Sequence, residues 1–213
     1  MSDIFREVDE EIRKEHYEAL WKKYGSWLIA AAVALVLAVA GYQGWTAWQR
    51  DQAMQASQEY AAAVAKAGDD PAAALQALGG LAKPGSDGYG LLAAFRQAAL
   101  QAEEGNVDSA VATWEKIAAS DAPPKPFRTL ATLFTVMHRI DTGDPGALSE
   151  RLEPIAQSND PFRSTALELQ GLLAQKQGDE ARAIELYKQV ADGADVPPAQ
   201  RRRVTQLLAV LEG

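Results

Sequence analysis

From Trp27 to Trp45 the chain carries no charged residue and one strongly polar side chain, Gln43, whereas beyond Arg50 apolar residues recur at helical spacing among polar ones. The first pattern is too long and too uniform for an amphipathic surface helix. As an α-helix it would extend roughly 28 Å at ~1.5 Å per residue, the thickness of a bilayer's hydrocarbon core. Tyr17, Trp21, Tyr24 and Trp27 stand before it and Tyr42, Trp45 and Trp48 after it, where amphipathic rings favour the headgroup layers. A membrane-spanning helix over 26–48 is predicted. A second reading stays open, because Ala38-Val39-Ala40 before Gly41 has the small-x-small form of a signal-peptidase site. The upstream stretch argues against it. A signal's leading region is short and basic, whereas residues 1–25 hold seven acids and five Lys/Arg.

The second pattern repeats. Gly-Asp or Gly-Asn dipeptides fall at Gly68, Gly105, Gly143 and Gly178, at intervals of 37, 38 and 35 residues. Each separates two alanine-rich helical stretches; after Gly105, Val107, Ala110 or Val111, Trp114 and Ile117 share one face. Glycine can end one helix in the left-handed conformation, and the following Asp or Asn can cap the next. Helix-turn-helix units at a period near ~34 are the mark of tetratricopeptide-type arrays. In the last unit Leu167, Gly171, Ala174, Ala183 and Tyr187 keep the consensus spacing, closed by Pro197 and Pro198; in the second, Ala94, Ala98, Ala110, Trp114 and Pro123 do. Gln101 replaces a usual aromatic, the first unit offers only Ala73 and Ala77, and the third is ambiguous across "HRIDTGDPGAL". The expected fold is therefore all-α: a single N-terminal transmembrane helix followed by a divergent tetratricopeptide-like array of about four helical hairpins. An irregular helical bundle is the alternative.

Within that array, Ala53, Ala56, Tyr60, Ala63 and Ala67 supply the first helix of the first hairpin, and Trp114 and Tyr187 are expected as core knobs. The terminal "PAQRRRVTQLLAVLEG" reads as a capping helix, with Leu207, Leu208 and Leu211 inward and Arg201 to Arg203 outward, either solvated or facing an acidic partner or lipid headgroups. "LAKPGSDGYG" reads as the most mobile loop. In the span, Ala30, Ala34 and Ala38 form a small-residue stripe that could admit another helix. In the tail, Ile4, Phe5, Val8 and Ile12 share a helical face.

Charge sets orientation and narrows function. Arg6, Arg13, Lys14, Lys22 and Lys23 precede the span, and only Arg50 and Lys66 follow it closely. By the positive-inside rule the N-terminus is cytoplasmic. The expected layout is a cytoplasmic tail over 1–25, a transmembrane helix over 26–48 and a periplasmic repeat domain over 49–213 in a bacterial inner membrane. Five of the 21 Lys/Arg and seven of the 29 Asp/Glu lie in the first 45 residues, which leaves the exported part at −6. Such a surface repels nucleic acid. The chain has no cysteine, and no HExxH, GxGxxG, GxxxxGKS or GxSxG motif. His138 is the one histidine beyond the span, and a lone helical histidine is usually a surface or packing residue. No enzyme and no cofactor are expected.

Tyr42-x-x-Trp45-x-x-Trp48 followed by Ala56-Ser57-x-x-Tyr60-x-x-Ala63, within an anchor leading straight into a periplasmic repeat, resembles the YfgM-like ancillary subunits of the SecYEG translocon. The resemblance implies a non-enzymatic translocon partner working beside membrane-anchored periplasmic chaperones on exported polypeptides. It implies no catalytic residue. An array of paired helices offers an extended groove, and Leu92, Phe95, Leu172 and Gln175, on the first helices of their units, are the candidate groove residues, unless neighbouring helices cover them. Two other classes stay open: a tetratricopeptide scaffold for envelope division or cytochrome assembly, and a cleaved, soluble periplasmic repeat protein.

Overall fold

The computed structural model describes the backbone of residues 3–86 and 88–213, and the side chains of residues 21–86 and 88–213. Ile4, Phe5, Val8, Ile12 and His16 therefore lie outside the described side chains. Contacts divide the chain into two compact units, Met1–Gln55 and Ala56–Gly213. Helix α1 runs over Asp3–Ala65. In the first unit its apolar stretch is long enough to cross a membrane by length and composition. Large apolar side chains lie exposed on all sides of it, from Trp27 and Leu28 through Leu35, Val36 and Leu37 to Trp48. Trp45 and Trp48 contact each other with ring centroids 5.2 Å apart.

The second unit begins with the end of α1, a 3-10 turn over Lys66–Gly68 and α2 over Pro71–Leu81. Then come α3 over Gly88–Glu103, α4 over Val107–Ala119, α5 over Lys125–Arg139, α6 over Pro145–Ala156, α7 over Arg163–Lys176, α8 over Glu180–Ala191 and α9 over Pro198–Glu212. Among the described residues these make four hairpins and a terminal helix, the tetratricopeptide-like array expected from the sequence. The repeated dipeptides act as the turn chemistry requires. Asn106, Asp144 and Asp179 are N-caps, accepting from the backbone N–H groups of Ser109, Ala147 and Arg182 at 3.4, 2.7 and 3.0 Å. In the first hairpin the cap falls one residue later, on Asp70, which accepts from Ala73 N–H at 3.0 Å ahead of Pro71. Gly105 and Gly178 take φ of +82° and +77°, the left-handed region that ends α3 and α7. Gly88 to Gly90, expected in a loop, instead open α3.

Three apolar clusters run along the array. The first joins Tyr60, Ala63, Ala74 and Leu78 to Ala93 and Leu100. The second gathers Leu91, Ala94 and Ala98 around Trp114, with Phe95, Phe127 and Phe134 at its edge. The third surrounds Leu152, Leu173, Leu186 and the fully buried Tyr187. Gly171 lets α7 pass directly against the Tyr187 ring: a Cβ there would lie 2.8 Å from Cδ1.

The terminal helix is held by charge as well as by Val204 and Leu208. Glu168 on α7 is buried; it accepts from Gln200 Nε2 at 2.9 Å and from Arg203 Nη2 at 2.8 Å. That hydrogen bond to Glu168 holds the Arg203 guanidinium above its ordinary value. Arg201 donates to the carbonyls of Ala191 and Gly193 at the end of α8, where a cation meets unpaired carbonyls and the negative end of the helix dipole. Of the arginine triplet expected outward, Arg202 and Arg203 are exposed, Arg203 reaching Glu168 from the surface, while Arg201 is half-buried against the carbonyls closing α8.

Candidate protein-interaction surface

Leu92 and Phe95 lie one turn apart on α3, and Leu172 and Gln175 lie one turn apart on α7. Leu92 is 37% exposed. Phe95 is half-buried, its ring centroid 6.1 Å from Phe127 and 6.2 Å from Phe134 on α5. Leu172 packs on the edge of the C-terminal cluster. Gln175 accepts from the Tyr187 hydroxyl at 2.7 Å. Phe95 and Leu172 thus border different clusters. Burial, reinforced by the negative charge of Glu168, pushes the Tyr187 phenol up to about 12.

Between the two pairs in sequence, the regular packing loosens. α5 packs extensively on α4 and α6 on α7, but the α5–α6 seam is thin. Pro154 sits inside α6, where it has no N–H for the Glu150 carbonyl and its ring crowds the preceding turn. A cleft of about 310 Å³ opens there, lined by Lys125, Arg128, Thr129 and Thr132 of α5, Arg151, Pro154 and Ile155 of α6, and Ser158 and Asp160 of the following turn. A second cavity, about 470 Å³, also touches Thr132 and Arg151 and is completed by Glu115, Ala118 and Ala119 of α4 and by Thr135.

The polar groups here are only partly matched. Asp160, its side chain 4% exposed, accepts from Thr129 Oγ1 at 3.3 Å and Phe162 N–H at 3.0 Å, with Lys125 Nζ at 3.6 Å. Arg128 pairs with Asp121 at 3.0 Å and Arg151 with Glu115 at 2.8 Å. Arg128 Nε and Thr135 Oγ1 are buried with no partner. The sequence reading missed these residues, although Thr129, Thr132 and Thr135 recur every third position through α5 and Pro154 interrupts a helical pattern. A further polar cleft of about 530 Å³ lies between the α6–α7 and α8–α9 turns, with Arg163, Ser164 and Asp195 among its walls.

Groups that would suggest chemistry are otherwise dispersed. Among the described residues no three His, Cys, Asp or Glu gather as a metal site would require. His138 stacks on Trp114 at 4.7 Å between centroids. Helical-repeat arrays of this kind are typically scaffolds for protein–protein contact.

Comparison with known proteins agrees with the hairpin geometry. A family model described as a tetratricopeptide repeat-like domain matches residues 18–209. No curated protein and no solved structure matches the chain. The match takes in all four hairpins and most of the terminal helix, and the chain belongs to the tetratricopeptide repeat-like domain family.

Proposed function

We propose that this protein is a membrane-anchored, non-enzymatic interaction module: a cytoplasmic tail over 1–25, a transmembrane helix over 26–48 and a periplasmic repeat domain over 49–213. It works as an ancillary subunit of the SecYEG translocon, beside membrane-anchored chaperones, on exported polypeptides. Leu92, Phe95, Leu172 and Gln175 contribute to the docking surface. One observation carries the anchoring: Trp27, Leu28, Ile29, Val33, Leu35, Val36, Leu37 and Val39 are exposed along a single helix. At about 1.5–3 kcal/mol for each large apolar side chain, leaving them in water forfeits on the order of 10–20 kcal/mol. That rivals the whole stability of a domain, about 5–15 kcal/mol. A bilayer removes the conflict. The five cations before the span support the orientation, and the tetratricopeptide repeat-like domain supports a protein partner.

The test is the intact mass of the membrane-extracted protein together with protease accessibility in cells and spheroplasts. A full-length, carbonate-resistant chain whose repeat domain is digested only in spheroplasts is expected. Photocrosslinkers at positions 92 and 172 should then capture translocon subunits. A soluble species beginning at Gly41 would refute the anchor, and capture of division or cytochrome-assembly proteins alone would refute the translocon assignment.

A further inference from the structure

The repeat-bearing part of the chain is acidic, yet Lys125, Arg128 and Arg151 converge on the cleft at the α5–α6 seam. Their partners decide what that cleft can take. Asp160 is buried and already saturated by Thr129, Phe162 N–H and Lys125. Asp121, paired with Arg128, is fully exposed, and Glu115, paired with Arg151, is about half exposed. Ion pairs of that kind contribute only about 0–1 kcal/mol, so both guanidinium groups are readily transferred to another carboxylate.

The hydroxyl inventory points the same way. Thr129 donates to Asp160, Thr132 to the Arg128 carbonyl and Ser158 to the Ile155 carbonyl. Thr135, only 1% exposed, lines the second cavity and has no hydrogen-bond partner, as does Arg128 Nε. An unmade buried hydrogen bond costs roughly 1–3 kcal/mol, which a ligand acceptor would recover. What remains unsatisfied is thus one N–H, Arg128 Nε, and one hydroxyl, Thr135 Oγ1, which can donate to an acceptor. Two cavities meeting at Thr132 and Arg151, of about 310 and 470 Å³, fit an extended ligand with several acceptors better than a single small ion.

We propose that the α5–α6 cleft binds an acidic segment of a polypeptide, its carboxylates displacing Asp121 from Arg128 and Glu115 from Arg151 and a further oxygen meeting Thr135. This rests on reading the repeat domain as a protein-interaction module. It names the chemistry of the bound segment and places it against α4, α5 and α6, at residues other than Leu92, Phe95, Leu172 and Gln175.

The test uses the full chain in detergent micelles and the fluorescence anisotropy of a labelled peptide alternating glutamate and alanine. Binding should weaken as salt is raised. R128Q and R151Q should each weaken it about tenfold, the value of one charge-assisted hydrogen bond. D121N and E115Q free the same two cations and should tighten it about two- to fivefold; a merely structural role for these pairs would move affinity the other way. T135V should weaken binding while leaving the melting temperature unchanged or higher. The inference is overturned if a lysine–alanine peptide binds equally well, if inorganic phosphate competes fully, which would mark a small-anion site, or if D121N and E115Q fail to tighten binding. Loss of peptide binding with the membrane crosslinks intact removes the cleft assignment alone. Loss of both removes the interaction-module reading as well.

Discussion

The approach of α7 to α8 yields a prediction in which the sign of the effect is at stake. Replacing glycine by alanine inside a helix ordinarily stabilises by roughly 1 kcal/mol. At Gly171 the new Cβ would lie 2.8 Å from Tyr187 Cδ1 and 2.9 Å from Cζ, well inside the ~3.5–4.0 Å carbon–carbon optimum. The ring has little room to retreat, since Tyr187 is fully buried and its hydroxyl holds Gln175 at 2.7 Å. Overpacking costs about 1–3 kcal/mol, and swinging the ring aside forfeits about 1 kcal/mol of hydrogen bonding. These outweigh the propensity gain, leaving G171A destabilised by about 1–3 kcal/mol. For a domain of this size that lowers the melting temperature by about 2–12 °C. Thermal unfolding of the full chain in micelles, followed by near-ultraviolet circular dichroism, reports the buried rings rather than α1. In a Y187L background, which removes the ring, G171A should become neutral or stabilising. A G171A protein that melts at or above the wild-type temperature would refute the close approach.

Replacing Arg203 leaves the buried Glu168 with Gln200 but no cation, and R203Q should destabilise by about 1.5–3 kcal/mol, while the neighbouring R202Q stays within about 0.5 kcal/mol in the same melting assay. The Tyr187 phenol, pushed up to about 12, makes stability fall with alkali: an unfolded tyrosine titrates near ~10, so between about pH 10 and 12 the unfolded chain has released a proton that the folded one retains. Y187F should flatten that part of a stability-versus-pH curve, and an unchanged slope would contradict the assignment. Trp114 is 1% exposed and its indole N–H has no partner. W114F should therefore cost under about 2 kcal/mol and W114A about 3–5 kcal/mol in urea unfolding; equal costs would show that the indole N–H is bonded after all.

Local interactions made much of the fold legible. A cap reaches three residues and a C-terminal glycine acts on its own turn, so Asn106, Asp144 and Asp179 could be read directly from the repeated dipeptides. Period alone placed Trp114 and Tyr187 in the core. The ambiguous third unit resolves as a turn over 140–144 closed by the Asp144 cap. Arg201 and Arg203 were not legible in the same way. A run of arginines near a terminus looks solvated until Glu168, 35 positions upstream of Arg203, is brought beside it. Glu168 itself falls among buried positions of α7, and nothing local says that a carboxylate there will find a cation.

The α5–α6 cleft was hidden for a related reason. Its cations stand on α5 and α6, and their pairs join Arg128 to Asp121 and Arg151 to Glu115 across turns or between helices. Their convergence depends on the array having formed. Yet the loose seam does not leave the array discontinuous, because each of its helices is fixed from its outer side: α5 on α4, and α6 on α7. Arg139 of α5 adds a bond to Asp108 of α4, and Lys176 of α7 reaches Asp141 in the turn after α5. In a linear array every interior helix has two neighbours, and stability is roughly a sum over intrinsic and nearest-neighbour terms. One thin seam therefore removes one term and leaves the others in place. That is why Pro154, which would break a helix pair standing alone, can be accommodated here, and why a seam inside a hairpin can hold mismatched polar groups while the surrounding fold stays intact.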